Sequence, residues 1–209
     1  MVNSKTQTKN YNQPALDEQV ERTARALEAN GFHTLIAEDG LKARNMALAL
    51  LPEGAQVHQA SSLTLEQTGI TAAIEQSGCF QAIRPKLRAM DRQTQADEFR
   101  RLSASPDYMI GSVQAVTEDG QVLVASGSGS QLGPYVHGAG KVIWVVGTQK
   151  IVKDLAEGFS RIQEYVYPLE DQRLHALNGG HSNLAKLLIF NKERPGRITV
   201  ILVKEPLGF

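Results

Sequence analysis

IGSVQAVTEDGQVLVASGSGSQLGPYVHGAGKVIWVVGTQKIVKDL, residues 110–155, decides the fold. Residues 112–116 and 121–125 are short β-favouring runs separated by Thr117, Glu118, Asp119 and Gly120. Asp-Gly between two such runs predicts a hairpin, because glycine takes positive φ without a steric cost. The second run leads straight into Ser126, Gly127, Ser128, Gly129, Ser130 and Gln131. Alternating glycines can turn successive N–H groups into one concavity and the serines add hydroxyls, so this loop reads either as a cradle for a phosphate or carboxylate or as a flexible connection. Residues 132–138 read as a short helical or irregular piece, and residues 141–146 (KVIWVV) are an uninterrupted apolar run of strand length. Such a run suits an interior strand covered on both faces. Gly147 opens a turn through Lys150, and Ile151, Leu155, Phe159 and Ile162 recur at helical spacing, which predicts strand, glycine turn, helix. In an open α/β sheet, ligands gather beyond the carboxyl ends of strands, so residues 127–131 and 147–150 are expected on one rim. Neither turn has the spacing of a dinucleotide fingerprint or a Walker loop, and no nucleotide is implied.

Upstream, residues 16–30 form an amphipathic helix with Val20, Ala24 and Leu27 on one face and Asn30-Gly31 as its stop. Residues 32–37 read as a strand, Asp39 caps a helix running to Leu51 before Pro52, and residues 56–59 read as the next strand. This βαβ rhythm implies a parallel sheet with right-handed crossovers. Residues 63–77 predict one or two short helices broken near Gly69, and the charged stretch 80–106 holds a helix over 95–103. Residues 108–110 enter the sheet, and after a long helix residues 184–190 and 197–203 supply two closing strands around Arg194, Pro195 and Gly196. The fold class expected is α/β, a mostly parallel sheet flanked by helices, with a flexible N-terminus over 1–13 and a single domain over 14–209.

A chain of 209 residues with 42% hydrophobic content can bury a full core. Lys plus Arg balance Asp plus Glu at 22 each, so no whole-chain field draws it to nucleic acid or an anionic membrane. No apolar run approaches the roughly 20 residues of a spanning helix, and residues 1–13 lack the apolar centre of a secretory signal. A cytoplasmic location is expected, and the single cysteine, Cys79, agrees, since disulfides need pairs.

TEDG followed by a strand, a small-residue loop, GAGKVIWVVGTQKIVKDL and the ending ILVKEPLGF together resemble the LUD-domain family, the lactate utilisation proteins that include the C-type subunit of a bacterial L-lactate oxidation system. The stretch SSLTLEQTGI, residues 61–70, is similar to that family's serine/threonine-rich motif, so the resemblance spans about residues 55–209. It implies a fold like that of the ribose-5-phosphate isomerase, glucosamine-6-phosphate isomerase and CoA transferase group, and a link to lactate metabolism. Many relatives carry a cysteine-rich stretch after the last long helix, whereas residues 168–190 here contain none. One thiol cannot build an iron–sulfur or tetrathiolate zinc site, so no cofactor is expected and any redox centres belong to iron–sulfur partner proteins.

The candidate ligand-binding residues are Ser61, Ser62 and Thr64, then Gly127, Ser128, Gly129, Ser130 and Gln131, then Gly147 and Lys150. The first three can equally cap the helix that follows them. Lys150 stands at a helix start, where a cation opposes the dipole, so anion binding gives it a reason that a plain surface lysine lacks. Glu66 and Glu118 are the weak catalytic candidates, each also explained without chemistry, Glu66 as a solvent-facing helix residue and Glu118 as part of a turn. The five histidines, His33, His58, His137, His175 and His181, show no metal-ligand spacing, and no metal is expected. Two functions follow: an accessory protein of lactate or other 2-hydroxy-acid utilisation that binds a small anionic metabolite, or a self-sufficient isomerase or transferase acting on a phosphorylated or CoA-linked substrate with Glu66 or Glu118 as acid/base.

Overall fold

The computed structural model describes residues 10–209, so most of the expected flexible N-terminus lies outside the described residues. Helix α1 (Asp17–Ala29) buries Val20, Thr23, Ala24 and Leu27, the face that the 3.6-residue period brings together. It leads into β1 (His33–Ala37), α2 (Gly40–Ala49) and β2 (Gln56–Gln59). Asp39 caps α2 by accepting the Lys42 N–H at 2.7 Å. The next segment breaks at Gly69 into α3 (Leu63–Gln67) and α4 (Ile70–Gln76).

A short β3 (Gln81–Ala82), α5 (Ile83–Ala89) and α6 (Ala96–Ala104) fill the charged stretch, and β4 (Tyr108–Gly111) returns to the sheet. The hairpin is β5 (Ala115–Thr117) and β6 (Val122–Ser126), antiparallel with Val116 opposite Val122. A π-helical turn (Pro134–Gly138) precedes β7 (Lys141–Gly147). Then come β8 (Ile151–Val152), α7 (Leu155–Arg161), a second π segment (Ile162–Val166) and α8 (Tyr167–Asn178). The chain closes through β9 (Lys186–Phe190) and β10 (Ile198–Val203).

Six strands form a wholly parallel sheet in the order β1-β10-β7-β4-β2-β3, and four form a second sheet in the order β8-β5-β6-β9. Strand β7 is interior, between β10 and β4, and its side chains alternate between two cores. Val142, Trp144 and Val146 join the core shared with α1 and the second sheet, where Val116, Val122, Val124 and Phe190 meet them. Ile143 and Val145 join the core under α2, α3 and α4, with Ala43, Leu65, Ile70 and Ile74. Trp144 is fully buried and packs edge-on against Tyr135 and Phe190, with ring centroids 5.4 and 5.0 Å away. Ala115, Leu123, Val152 and Ile162 make a third cluster on the far side of the second sheet, where α7 packs. The α/β class with a mostly parallel sheet is therefore the architecture observed.

One local expectation is corrected. Ile151 does not start a helix: it and Val152 pair with Val116 and Thr117 in the second sheet. Asp154 then accepts the Glu157 N–H at 2.9 Å and resets the helix start to Leu155. The two closing strands lie in different sheets. β9 is an edge of the second sheet beside β6, while β10 runs through the larger sheet between β1 and β7. Apolar content allows both strands, but their placement depends on partners far away in sequence. Among the described residues no helix is long and apolar enough to cross a membrane.

Candidate functional site

A cleft of about 480 Å³ opens beyond the carboxyl ends of β2, β4, β7 and β10, where an open parallel sheet collects ligands. Ser61, Ser62 and Thr64 line it after β2, Ser112 and Gln114 after β4, and Lys150 after β7. Gly127, Ser128 and Gln131 of the serine–glycine loop form another wall, and Arg173, His181 and Phe209 complete the rim.

Lys150 is the chemical centre of this arrangement. The side chain is only 3% exposed, and its Nζ donates to Thr64 Oγ1 and to Ser112 Oγ, each at 3.1 Å. Thr64 Oγ1 in turn donates to the Leu207 carbonyl at 3.1 Å, which fixes the direction of that chain of hydrogen bonds. No carboxylate pairs with Lys150 among the described residues. Burial holds its amine well below the ordinary lysine range, and the guanidinium of Arg161 pushes the same way. Arg161 is itself fully buried: one Nη donates to the Gln114 carbonyl at 2.5 Å, its head lies over the rings of Tyr165 and Tyr11, and burial lowers its pKa to about 10. Two basic side chains are thus buried close enough for the Arg161 charge to act on the Lys150 amine, an arrangement costly in itself.

Tyr135 is fully buried and also reaches the cleft, its hydroxyl 3.5 Å from the Ser112 carbonyl. Burial pushes its pKa upward, so it stays a neutral donor. A Cβ on Gly111 would stand 1.8 Å from that hydroxyl, which is why the strand end carries glycine. Glu170 is the one side-chain carboxylate among the described residues that lines the cleft, and Arg173 grips it through two hydrogen bonds of 2.7 Å. On the rim His181 pairs with Asp171 at 3.2 Å and stacks on His175.

Of the residues singled out in the sequence, Ser61, Ser62, Thr64, Gly127, Ser128, Gln131 and Lys150 line this one cleft, whereas Gly129, Ser130 and Gly147 do not. Two of the loop's N–H groups are taken by its own side chains: Gly129 donates to Ser126 Oγ at 2.8 Å and Ser130 to Ser128 Oγ at 3.3 Å. Gly147 is needed for packing, since a Cβ there would lie 2.7 Å from the Glu205 carbonyl. Ser62 both lines the cleft and caps α3, accepting the Leu65 N–H at 3.5 Å. Glu66 is exposed and outside the cleft. Glu118 is also outside it, bound by Arg22 at 2.6 Å and Gln19 at 2.7 Å, so it ties the hairpin to α1. Cys79 is exposed, and among the described residues no group of three or more His, Cys, Asp or Glu side chains is placed to hold a metal. Ser112, Tyr135, Glu170, Arg173 and Phe209 went unread in the sequence. Only Ser112, a small polar residue directly after a strand, carried a signal that could have found it.

No curated protein matches the chain. Among solved structures, a DUF162 family protein from Deinococcus radiodurans superposes with a TM-score of 0.52 at 12% identity, over 89% of this chain and 96% of that one. At that identity the likeness concerns the fold alone. The LUD domain family model matches residues 20–203, from within α1 to the end of β10, and so covers every strand that builds the cleft. The chain belongs to the LUD-domain family.

Proposed function

We propose that the cleft binds a small anionic metabolite and that the protein serves lactate or other 2-hydroxy-acid utilisation beside partners that carry the redox centres. The observation that carries this reading is the Lys150 amine, buried at the cleft, held by two hydroxyls and without an acidic partner among the described residues. An entering carboxylate supplies the missing countercharge, raises the amine's pKa and so draws a proton onto it. Arg173 and His181 at the rim offer hydrogen-bonding groups along the approach, their charges being met by Glu170 and Asp171. One cysteine cannot ligate an iron–sulfur cluster, which supports assigning the oxidation to partners.

Calorimetric titration with L-lactate, D-lactate, pyruvate and inorganic phosphate tests the reading, run in two buffers of different ionisation heat. Binding with uptake of a proton, absent in folded Lys150→Met, is the expected result. Equal affinity in parent and variant would move the site away from Lys150. The isomerase or transferase alternative loses support from the positions of Glu66 and Glu118, neither of which reaches the cleft.

A further inference from the structure

We propose that Lys150 forms an imine with the carbonyl carbon of a small 2-oxo acid held in the cleft. The proposal rests on the anion-site reading above and names the ligand class more narrowly. Its basis is the geometry around one nitrogen. Nζ donates to Thr64 Oγ1 and Ser112 Oγ at 3.1 Å each, and Thr64's own proton is committed to the Leu207 carbonyl. A neutral amine so placed has its carbon and two N–H groups accounted for, its lone pair takes the fourth tetrahedral position, and the side chain lines the cleft. Burial and the nearby Arg161 guanidinium favour that neutral form, the nucleophilic one.

The step balances without an oxidant or reductant. The nitrogen lone pair attacks the carbonyl carbon, the carbonyl oxygen gains a proton and the nitrogen loses one, giving a carbinolamine. The hydroxyl then leaves with a proton as water, and the nitrogen is left as a protonated C=N. Ser112 Oγ, 3.1 Å from the nitrogen and free of the commitment that binds Thr64, is placed to relay protons. The iminium is a cation at a nitrogen that no carboxylate pairs with among the described residues, so a ligand bearing its own carboxylate beside the carbonyl completes the charge balance. A simple ketone does not. At about 480 Å³ the cleft admits a 2-oxo acid with a substituent beyond the size of pyruvate.

The experiment is reductive trapping of the whole chain with pyruvate and sodium borohydride, read by intact mass and peptide mapping. The expected product is a single adduct on Lys150, heavier by pyruvic acid less one oxygen. Its yield should exceed that at surface lysines by roughly tenfold or more, because an ordinary lysine is almost wholly protonated at neutral pH. L-lactate, which has no carbonyl, should give no adduct but should slow trapping by competition. Folded Lys150→Met should give none, and if that variant fails to fold, the peptide map of the parent still decides. Labelling spread evenly over surface lysines, or no adduct at Lys150, overturns the imine. If L-lactate binds in calorimetry while pyruvate leaves no adduct, only this inference fails; if neither binds, the anion site fails with it.

Discussion

Lys150 Nζ lies 3.1 Å from Ser112 Oγ, joining the turn after β7 to the first residue beyond β4. The two strands are neighbours in the parallel sheet, so side chains 38 residues apart meet at the same carboxyl rim. That contact places the buried amine of Lys150 at the cleft and gives it a hydroxyl through which to exchange protons.

Ser112→Ala should therefore cost about 0.5–1.5 kcal/mol of stability, the usual net worth of one hydrogen bond. Urea unfolding measures it. Anion affinity should fall less than in Lys150→Met, because Thr64 still holds the amine.

Gly111→Ala should destabilise more, since its Cβ would fall 1.8 Å from the Tyr135 hydroxyl and 3.1 Å from Ala60 Cβ in a packed interior. A loss of roughly 1–3 kcal/mol is expected from such overpacking. Adding Tyr135→Phe removes the closest atom and should recover part of the loss, so a double-mutant cycle should show clear non-additivity.

Much of the fold was legible because its signals are local. The apolar period of α1, the Asp39 cap and the KVIWVV run each act over a few residues and each formed where expected, and the Asp-Gly hairpin formed with its first strand shortened to Ala115–Thr117. The central place of β10 was not legible, because strand order follows from long-range pairing that no short window contains. Ile151 misled because its i, i+4 relation to Leu155 mimics a helix while its partner in the second sheet is far upstream. In the site, Ser61, Thr64 and Lys150 could be read as polar residues placed just after strands. Composition alone gave Gly129 and Ser130 too much weight, since it cannot show that their N–H groups turn to Ser126 and Ser128. Tyr135 and Arg173 arrive from a π-helical turn and a late helix, where tertiary packing alone aims them.

His58 gives the acid limb of stability a distinct shape. It is buried on β2, where burial and then the Arg84 charge lower its pKa from 6.5 to about 4. The unfolded chain thus binds a proton more readily than the folded one between those values, so stability falls as pH drops from 6.5 and this loss levels off below about 4. The total is roughly 3 kcal/mol at about 1.4 kcal/mol per unit. His58→Gln should flatten that part of the profile, and an imidazole titration by NMR should give a midpoint near 4 in the parent.

Lys150 acts at the other end of the scale. Its folded pKa is lowered, so between that value and the ordinary 10.5 the unfolded chain binds more protons and stability rises with pH. Lys150→Met lacks this dependence. The variant should be the more stable partner at neutrality, and its advantage should shrink as pH rises toward 10.5. Denaturation of both proteins across that range checks the sign.

The central claim is that an uncompensated Lys150 makes the cleft an anion site, and the most direct measurement is calorimetric titration of parent and folded Lys150→Met with L-lactate and pyruvate in two buffers. The account predicts saturable binding by the parent with net proton uptake for L-lactate, and loss of roughly tenfold or more in affinity in the variant, the size expected when a charge-assisted hydrogen bond is removed. Binding of equal strength in both proteins, or no proton uptake by the parent, would contradict it.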